Sequence, residues 1–253
     1  MITIKSKKQI SGIRKSCQLA ASTLDMIEPF VVEGITTEEL NNRIAEFITK
    51  NDAIAAPLNY LGYPKECCIS LNEVICHGIP DETKLKEGDI LNIDVTTILD
   101  GYYGDTSRMF TVGQISDEAA SLLKITKESL EVGIRQVKPG NKTGRIGHAI
   151  SKFAEDRGYG VVHQFCGHGV GLQFHEPPQI PHKANPNTGV VMRPGMIFTI
   201  EPMINIGRPE AIVSEEDRWT ATTIDGELSA QYEHTVLVTK SGVEVMTRRG
   251  KYE

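Results

Sequence analysis

Asn92-Ile93-Asp94-Val95-Thr96-Thr97-Ile98-Leu99-Asp100-Gly101-Tyr102-Tyr103-Gly104-Asp105-Thr106-Ser107-Arg108-Met109-Phe110 is the stretch whose reading decides the fold. It reads as two β-rich runs joined by Asp100-Gly101, a strong hairpin signal. Asp94 lies in the first arm and Asp105 in the second. Strand side chains alternate with period 2, so a tight turn puts both acids on one face, directly opposite or one step diagonal. Two carboxylates that close repel each other unless a cation or a shared proton neutralises them. Asp is also a poor strand residue. Such breaks of local preference tend to mark functional sites. The alternative is a solvent-facing edge on which both acids are hydrated.

Outward from the hairpin, the apolar periodicity predicts helices on either side. Residues 5–28 place Ile10, Ile13, Cys17, Leu24 and Ile27 on one stripe. A second helix starts near Thr36, where Thr36 and Glu39 have capping-box spacing, with stripe Leu40, Ile44, Phe47 and Ile48. Short strands are expected around Ile69 and Val74, then a loop from Gly78 to Gly88. A third helix follows Ser116 and runs to about Val137; a fourth begins near Thr143, with stripe Ile146, Ile150 and Phe153, and stops at Gly158. Strands are expected near 161–166, 196–201 and 232–238.

The halves resemble each other. Gly34, Thr37, Leu40, Ile44 and Phe47 recur 106 positions later as Gly140, Thr143, Ile146, Ile150 and Phe153. Gly88-Asp89-Ile90-Leu91-Asn92-Ile93-Asp94 recurs 107 positions later as Gly195-Met196-Ile197-Phe198-Thr199-Ile200-Glu201. The period is far too long for a solenoid. The pattern implies one domain, 1–253, of two duplicated α/β halves, roughly 5–112 and 113–245, about a pseudo-twofold axis. Chance similarity between ordinary helices is the bland alternative. Duplication pairs Asp94 with Glu201, and the natural site is then the seam between the halves.

The totals agree with this and exclude other classes. The chain has 253 residues, 40% hydrophobic and 24% charged, as in ordinary globular domains. A net charge of -6 argues against direct nucleic-acid binding. No apolar run is long enough for a membrane span, and the first residues lack a signal-peptide core. Five cysteines without zinc-ribbon spacing read as reduced thiols of a cytoplasmic protein.

Four acids fall in or beside apolar strand patterns: Asp94, Asp105, Glu201 and Glu233. Buried acids are costly unless paired or metal-bound, and no Arg or Lys cluster accompanies these four. The Gly-rich segment Cys166-Gly167-His168-Gly169-Val170-Gly171-Leu172-Gln173-Phe174-His175-Glu176-Pro177-Pro178 adds two histidines. Either histidine alone reads as a structural side chain. Together with the acids they make an oxygen-rich set that suits Mn, Fe, Co or Zn. A carboxylate shared by two ions would hold them about 3.5–4 Å apart. The segment lacks dinucleotide-loop spacing, and its prolines forbid the two-His helix of zinc proteases.

Over nearly its whole length the chain resembles the type I methionine aminopeptidases of metallopeptidase family M24. The matching blocks are Asn72-Glu73-Val74-Ile75-Cys76-His77-Gly78-Ile79-Pro80, Asn92-Ile93-Asp94-Val95, Gly104-Asp105-Thr106, Gly167-His168-Gly169-Val170-Gly171, Phe174-His175-Glu176-Pro177, Thr199-Ile200-Glu201-Pro202 and Gln231-Tyr232-Glu233-His234-Thr235. The resemblance implies an α+β pita-bread fold: two duplicated α/β halves with a central antiparallel sheet covered by helices. It implies removal of the initiator methionine from nascent polypeptides. Carried over, Asp94 binds one divalent ion, Asp105 and Glu233 bridge two, and His168 and Glu201 complete the other ion's ligand set. A bridging water or hydroxide is the nucleophile, Glu201 the proton shuttle, His175 the oxyanion partner and His77 a substrate contact. Tyr60, Tyr63, Cys68, Phe174 and Trp219 match positions that line the methionine pocket. Leu61 stands where many relatives carry His. A structural Na or K ion is implied near Asn72, Val74 and Ser229.

The 31 residues between Glu201 and Glu233 leave no room for the insertion of type II enzymes. The chain starts almost directly at its first helix, without the zinc-finger extension of eukaryotic cytosolic relatives. A cytoplasmic, bacterial-type monomer is expected, acting on nascent N-terminal peptides, with ribosome association but no membrane partner. Two rival readings keep the fold: a proline-specific dipeptidase, and a binding module without catalysis.

Overall fold

A computed structural model describes residues 2–248, so both ends of the 1–253 expectation lie outside the described residues. The helices are α1 (Lys7–Ile27), α2 (Thr37–Lys50), α3 (Asp117–Ile134) and α4 (Gly144–Glu155). The strands are β1 (Ile54–Ala55), β2 (Cys68–Leu71), β3 (Val74–Cys76), β4 (Ile90–Leu99), β5 (Tyr102–Thr111), β6 (Gly160–Val161), β7 (Cys166–Gly169), β8 (Glu176–Pro181), β9 (Ile197–Ile200), β10 (Met203–Asn205), β11 (Ala211–Val213), β12 (Ala221–Thr223), β13 (Ser229–Gln231), β14 (His234–Val238) and β15 (Val243–Val245). Among the described residues no helix is long and apolar enough to cross a membrane.

The capping box of Thr36 and Glu39 forms at the start of α2, and a second one, Ser6 with Gln9, fixes the start of α1. Ser6 therefore stands outside α1, which begins two residues later than the periodicity predicts. The third helix ends at Ile134, three residues short of the expected Val137. The run expected at 161–166 divides into β6 and β7. The strands β8, β10 to β13 and β15 have no counterpart in the sequence reading. Most are three residues long, too short for a period-2 pattern to stand out.

β4 and β5 pair in one unbroken antiparallel ladder from Ile90↔Thr111 to Leu99↔Tyr102. Asp100 and Gly101 both adopt positive φ, 52° and 78°, as a two-residue turn of this kind requires. Asp94 faces Ser107 and Asp105 faces Thr96, so the two acids are one diagonal step apart on one face. The second long sheet runs β15-β14-β9-β7-β8.

The backbone carries the repeat atom by atom. Gly34 N–H donates to Leu85 O (2.9 Å) and Leu85 N–H to Ile35 O (2.9 Å); Gly140 N–H donates to Met192 O (3.0 Å) and Met192 N–H to Asn141 O (2.8 Å). Gly88 N–H donates to Val112 O, and Gly195 N–H to Val238 O. φ is 88° at both Gly34 and Gly140, and 90° and 91° at Gly88 and Gly195. Leu40 and Ile44 are fully buried in one core with Leu91, Ile93 and Val95. Ile146 and Ile150 are fully buried in another with Phe198 and Ile200. α2 and α4 thus each pack on strands of their own half, while Ile13 and Cys17 of α1 also reach Val170, Ile197 and Leu237 of the second. The halves join where β5 meets β14: Glu233 N–H donates to Ser107 O (3.1 Å), and Thr235 Oγ1 donates to Asp105 O (2.7 Å).

Candidate metal centre and cleft

A cleft of about 700 Å³ opens at that seam. Asp94, Asp105, His168, Glu201 and Glu233 all line it, with His77, His175, Tyr60, Tyr63, Cys68, Phe174 and Trp219. β4 and β5 supply Asp94 and Asp105, β7 supplies His168, Glu201 follows β9, and Glu233 precedes β14.

Asp105, His168 and Glu233 can each present a ligand atom within 4.8 Å of the others. His168 Nδ1 lies 3.0 Å from Gly169 O, a contact that fixes the proton on Nδ1 and leaves a lone pair on Nε2. That Nε2 lies 3.6 Å from Asp105 Oδ2 and 3.7 Å from Glu201 Oε1. A lone pair facing two carboxylate oxygens is an arrangement that a cation resolves. Among the described residues no Lys or Arg lines the cleft to do so. The donor set therefore fits a divalent metal.

The electrostatics agree. Burial raises the carboxyls of Asp94 and Glu233 well above their ordinary range, and neighbouring acids push them further. Asp105 and Glu201 are raised by burial too, against the Thr96 and Thr199 hydroxyls that favour their ionised forms. Burial lowers His168 to about 3 and His175 to about 4, so both rings are neutral at pH 7.

Around the acids lies a shell that the sequence reading missed. Thr96 Oγ1 donates to Asp105 Oδ1 (2.7 Å), and Thr199 Oγ1 to Glu201 Oε1 (2.6 Å). Gln231 Nε2 donates to Glu201 Oε2 (3.3 Å). The Glu201 N–H donates to Nε2 of the fully buried His182 (3.1 Å). Nothing in composition or spacing separates these four from ordinary strand residues. Only Gln231 has a cue, two positions before Glu233.

On the open side, Tyr60 OH and His175 Nδ1 are 2.9 Å apart. Tyr60 also packs on Phe174, with ring centroids at 4.8 Å. Tyr63 meets Trp219 edge-on at 5.2 Å, and Trp219 meets His77 at 6.0 Å. Leu61 is 81% exposed at the lip, with a left-handed φ of 48°. Asn72, Val74 and Ser229 lie outside the cleft lining, where Ser229 N–H donates to Asn72 O (2.9 Å).

The profile of metallopeptidase family M24 matches residues 11–240. The chain belongs to this family, and its fold is the α+β pita-bread fold. Within the family it is similar to the methionine aminopeptidases. Methionine aminopeptidase A of Synechocystis is 53% identical, covering 97% of this chain and 97% of that protein. The methionine aminopeptidase of Escherichia coli K12 is 51% identical, covering 98% of this chain and 94% of that one. The crystal structure of methionine aminopeptidase from Rickettsia prowazekii matches with a TM-score of 0.97 at 49% identity, covering 98% of this chain and 100% of that chain.

Proposed function

We propose that this metallopeptidase removes the N-terminal methionine from nascent polypeptides whose second residue is small. The whole chain would act as one catalytic domain of two halves, 5–112 and 113–245. The observation that carries the reading is the lone pair of His168 converging with Asp105, Glu201 and Glu233 in a cleft that no cationic side chain among the described residues lines.

Asp94 and Asp105 would hold one divalent ion, His168 and Glu201 the other, with Asp105 and Glu233 shared. Such ions, when bound, make water a nucleophile near neutral pH. Glu201 takes the proton of the attacking water and hands it to the leaving amine. Thr199 and Gln231 hold its two oxygens in place. His175 is neutral, and its Nδ1 contact with the Tyr60 hydroxyl orients the ring toward the developing oxyanion. His77 contacts the substrate beside the scissile bond.

Tyr60, Tyr63, Cys68, Phe174 and Trp219 form the slot for the methionine side chain, where aromatic faces and edges suit a polarisable thioether. Main-chain carbonyls near Asn72, Val74 and Ser229 would hold a structural Na or K ion. The place of action is the cytoplasm of a bacterial-type cell, as a monomer on chains leaving the ribosome.

Purified protein with Mn or Co should release methionine from Met-Ala-Ser and spare peptides with a bulky second residue. No release with any divalent ion, or the reverse preference, overturns the reading.

A further inference from the structure

His175 sits on a glycine-rich segment that leaves the regular ladder. Glycines at 167, 169 and 171 precede it, and the strand pairing of β7 with β8 shifts register at His168 and Gly169. A group that meets a developing charge has to be held within about 0.5 Å of its productive position. Tyr60 holds one ring nitrogen, and within the segment the Gly171 N–H donates to Gln173 O (3.2 Å); the backbone on the His175 side is tied to the rest of the chain through Glu176.

The fixing element comes from the other end of the chain. Lys5 Nζ lies 2.6 Å from Glu176 Oε1, the residue after His175. The two side chains are 1% and 7% exposed. The same oxygen faces the Leu172 N–H at 3.4 Å, so one carboxylate closes the segment from Leu172 to Glu176 into a loop. Lys5 is itself anchored: its N–H donates to Gly195 O (2.9 Å), and Ser6 next to it caps α1. Nearly two turns into α1, Ile13 fills the space beside Gly171, where an added Cβ would lie 2.4 Å from its Cδ1. The Tyr103 N–H donates to Gly171 O (3.0 Å), which closes the other end.

Helix energetics do not explain this lysine. The first turn of α1 carries no acid, and Lys5, Lys7 and Lys8 crowd an N-terminus that favours negative charge. A buried ion pair is also a poor source of stability compared with apolar packing of the same volume. What the pair does supply is a fixed geometry across 171 positions of sequence.

We propose that Lys5 is a positioning residue for the reaction: through Glu176 it sets the loop that carries Phe174 and His175 against the cleft. The inference rests on the assignment of His175 to the substrate carbonyl. An oxyanion contact is made only in the transition state, so loss of the pair lowers kcat and leaves KM nearly unchanged. Displacement of about 1 Å can cost about a hundredfold in rate.

The test compares metal-loaded wild type with Lys5→Met, Lys5→Arg and the double variant Lys5→Met/Glu176→Gln on Met-Ala-Ser. Rates are taken per folded molecule, counted by circular dichroism and metal content. Lys5→Met leaves Glu176 buried and unpaired, so a lower Tm is expected and does not by itself bear on the proposal. The double variant strands no charge and keeps the fold. Its kcat should still fall at least tenfold at unchanged KM, while Lys5→Arg, which restores a cation, recovers most of the rate. Wild-type kcat in the folded double variant overturns the proposal, as does a fall in that variant carried by KM alone. Wild type that releases no methionine at all overturns instead the functional reading beneath it.

Discussion

The β4–β5 pair of the first half and the β9–β14 pair of the second enter the sheet alike and are connected differently. Gly88 and Gly195 donate to Val112 and Val238, and the Val112 and Val238 N–H groups donate back to Asp89 and Met196. Each pair then delivers two acids to the cleft: Asp94 with Asp105, and Glu201 with Glu233. In the first half two turn residues join ten-residue strands, so local geometry alone fixes the acids. In the second half the chain leaves the sheet at Glu201 and returns at Glu233, laying down β10 to β13 between. That excursion brings Trp219 and Gln231 to the cleft. The two halves divide their work: the tight hairpin holds two of the cleft acids on one short ladder, and the long return builds the surroundings of Glu201 and adds Trp219 to the cleft.

Substitutions on the two sides should separate these roles. Asp105→Asn removes a carboxylate from the hairpin and should lower turnover by more than about a hundredfold, together with the divalent metal recovered per chain by elemental analysis. Full metal content in that variant would break the hairpin's assignment. Glu201→Gln should keep the fold and lower turnover by more than about tenfold, because the proton transfer is lost. Near-normal rates there would remove the second half's special role.

Thr96→Val and Thr199→Val each delete one hydroxyl that holds a carboxylate oxygen. Losing such an outer contact is worth about tenfold in metal affinity or rate. Thr96→Val should weaken metal binding, read by calorimetric titration, and Thr199→Val should change turnover more than affinity. Equal effects on both readouts would erase the contrast between the halves.

The smallest expected effect is on stability. The four carboxyls have folded-state values raised above those of the unfolded chain, which lie near about 4. A group raised in this way contributes its stability at low pH and loses it as pH rises through the folded value. Metal-stripped protein should therefore lose stability on going from pH 5 to pH 8. Bound metal needs the same groups deprotonated, so loaded protein should not. The buried His182 and His234, both lowered to about 3, act in the opposite sense, losing stability as pH falls below about 6.5. They contribute alike to both forms and drop out of the difference. The gap in Tm between loaded and stripped protein should widen from pH 5 to pH 8. A constant gap would mean that the acids do not face one another without metal.

Much of this was legible in the chain. The Asp100-Gly101 turn and the alternation around it gave the hairpin, its register to within one diagonal step, and the shared face of Asp94 and Asp105. The recurrence of glycines and helix stripes gave the two halves, because a left-handed glycine and a buried aliphatic leave a mark at each position. The pairing of Glu201 with Asp94 followed from the offset. Thr96, Thr199, His182 and Gln231 were not legible, since a hydroxyl, amide or imidazole looks the same in sequence whether it meets solvent, backbone or a carboxylate. Nor was the link between Lys5 and Glu176, whose partners lie 171 positions apart.

Sequence by itself determined the local alphabet: where turns fall, which helix faces are apolar, and which strands carry an acid against their own propensity. Those properties depend on neighbours a few residues away, through dihedral preference and periodicity. Tertiary structure alone decided that the two strand pairs meet along β5 and β14, with the His168 lone pair turned toward Asp105 and Glu201. Contacts between residues far apart in the chain arise only when both cores close, because burial drives packing without specifying which distant polar atoms come face to face.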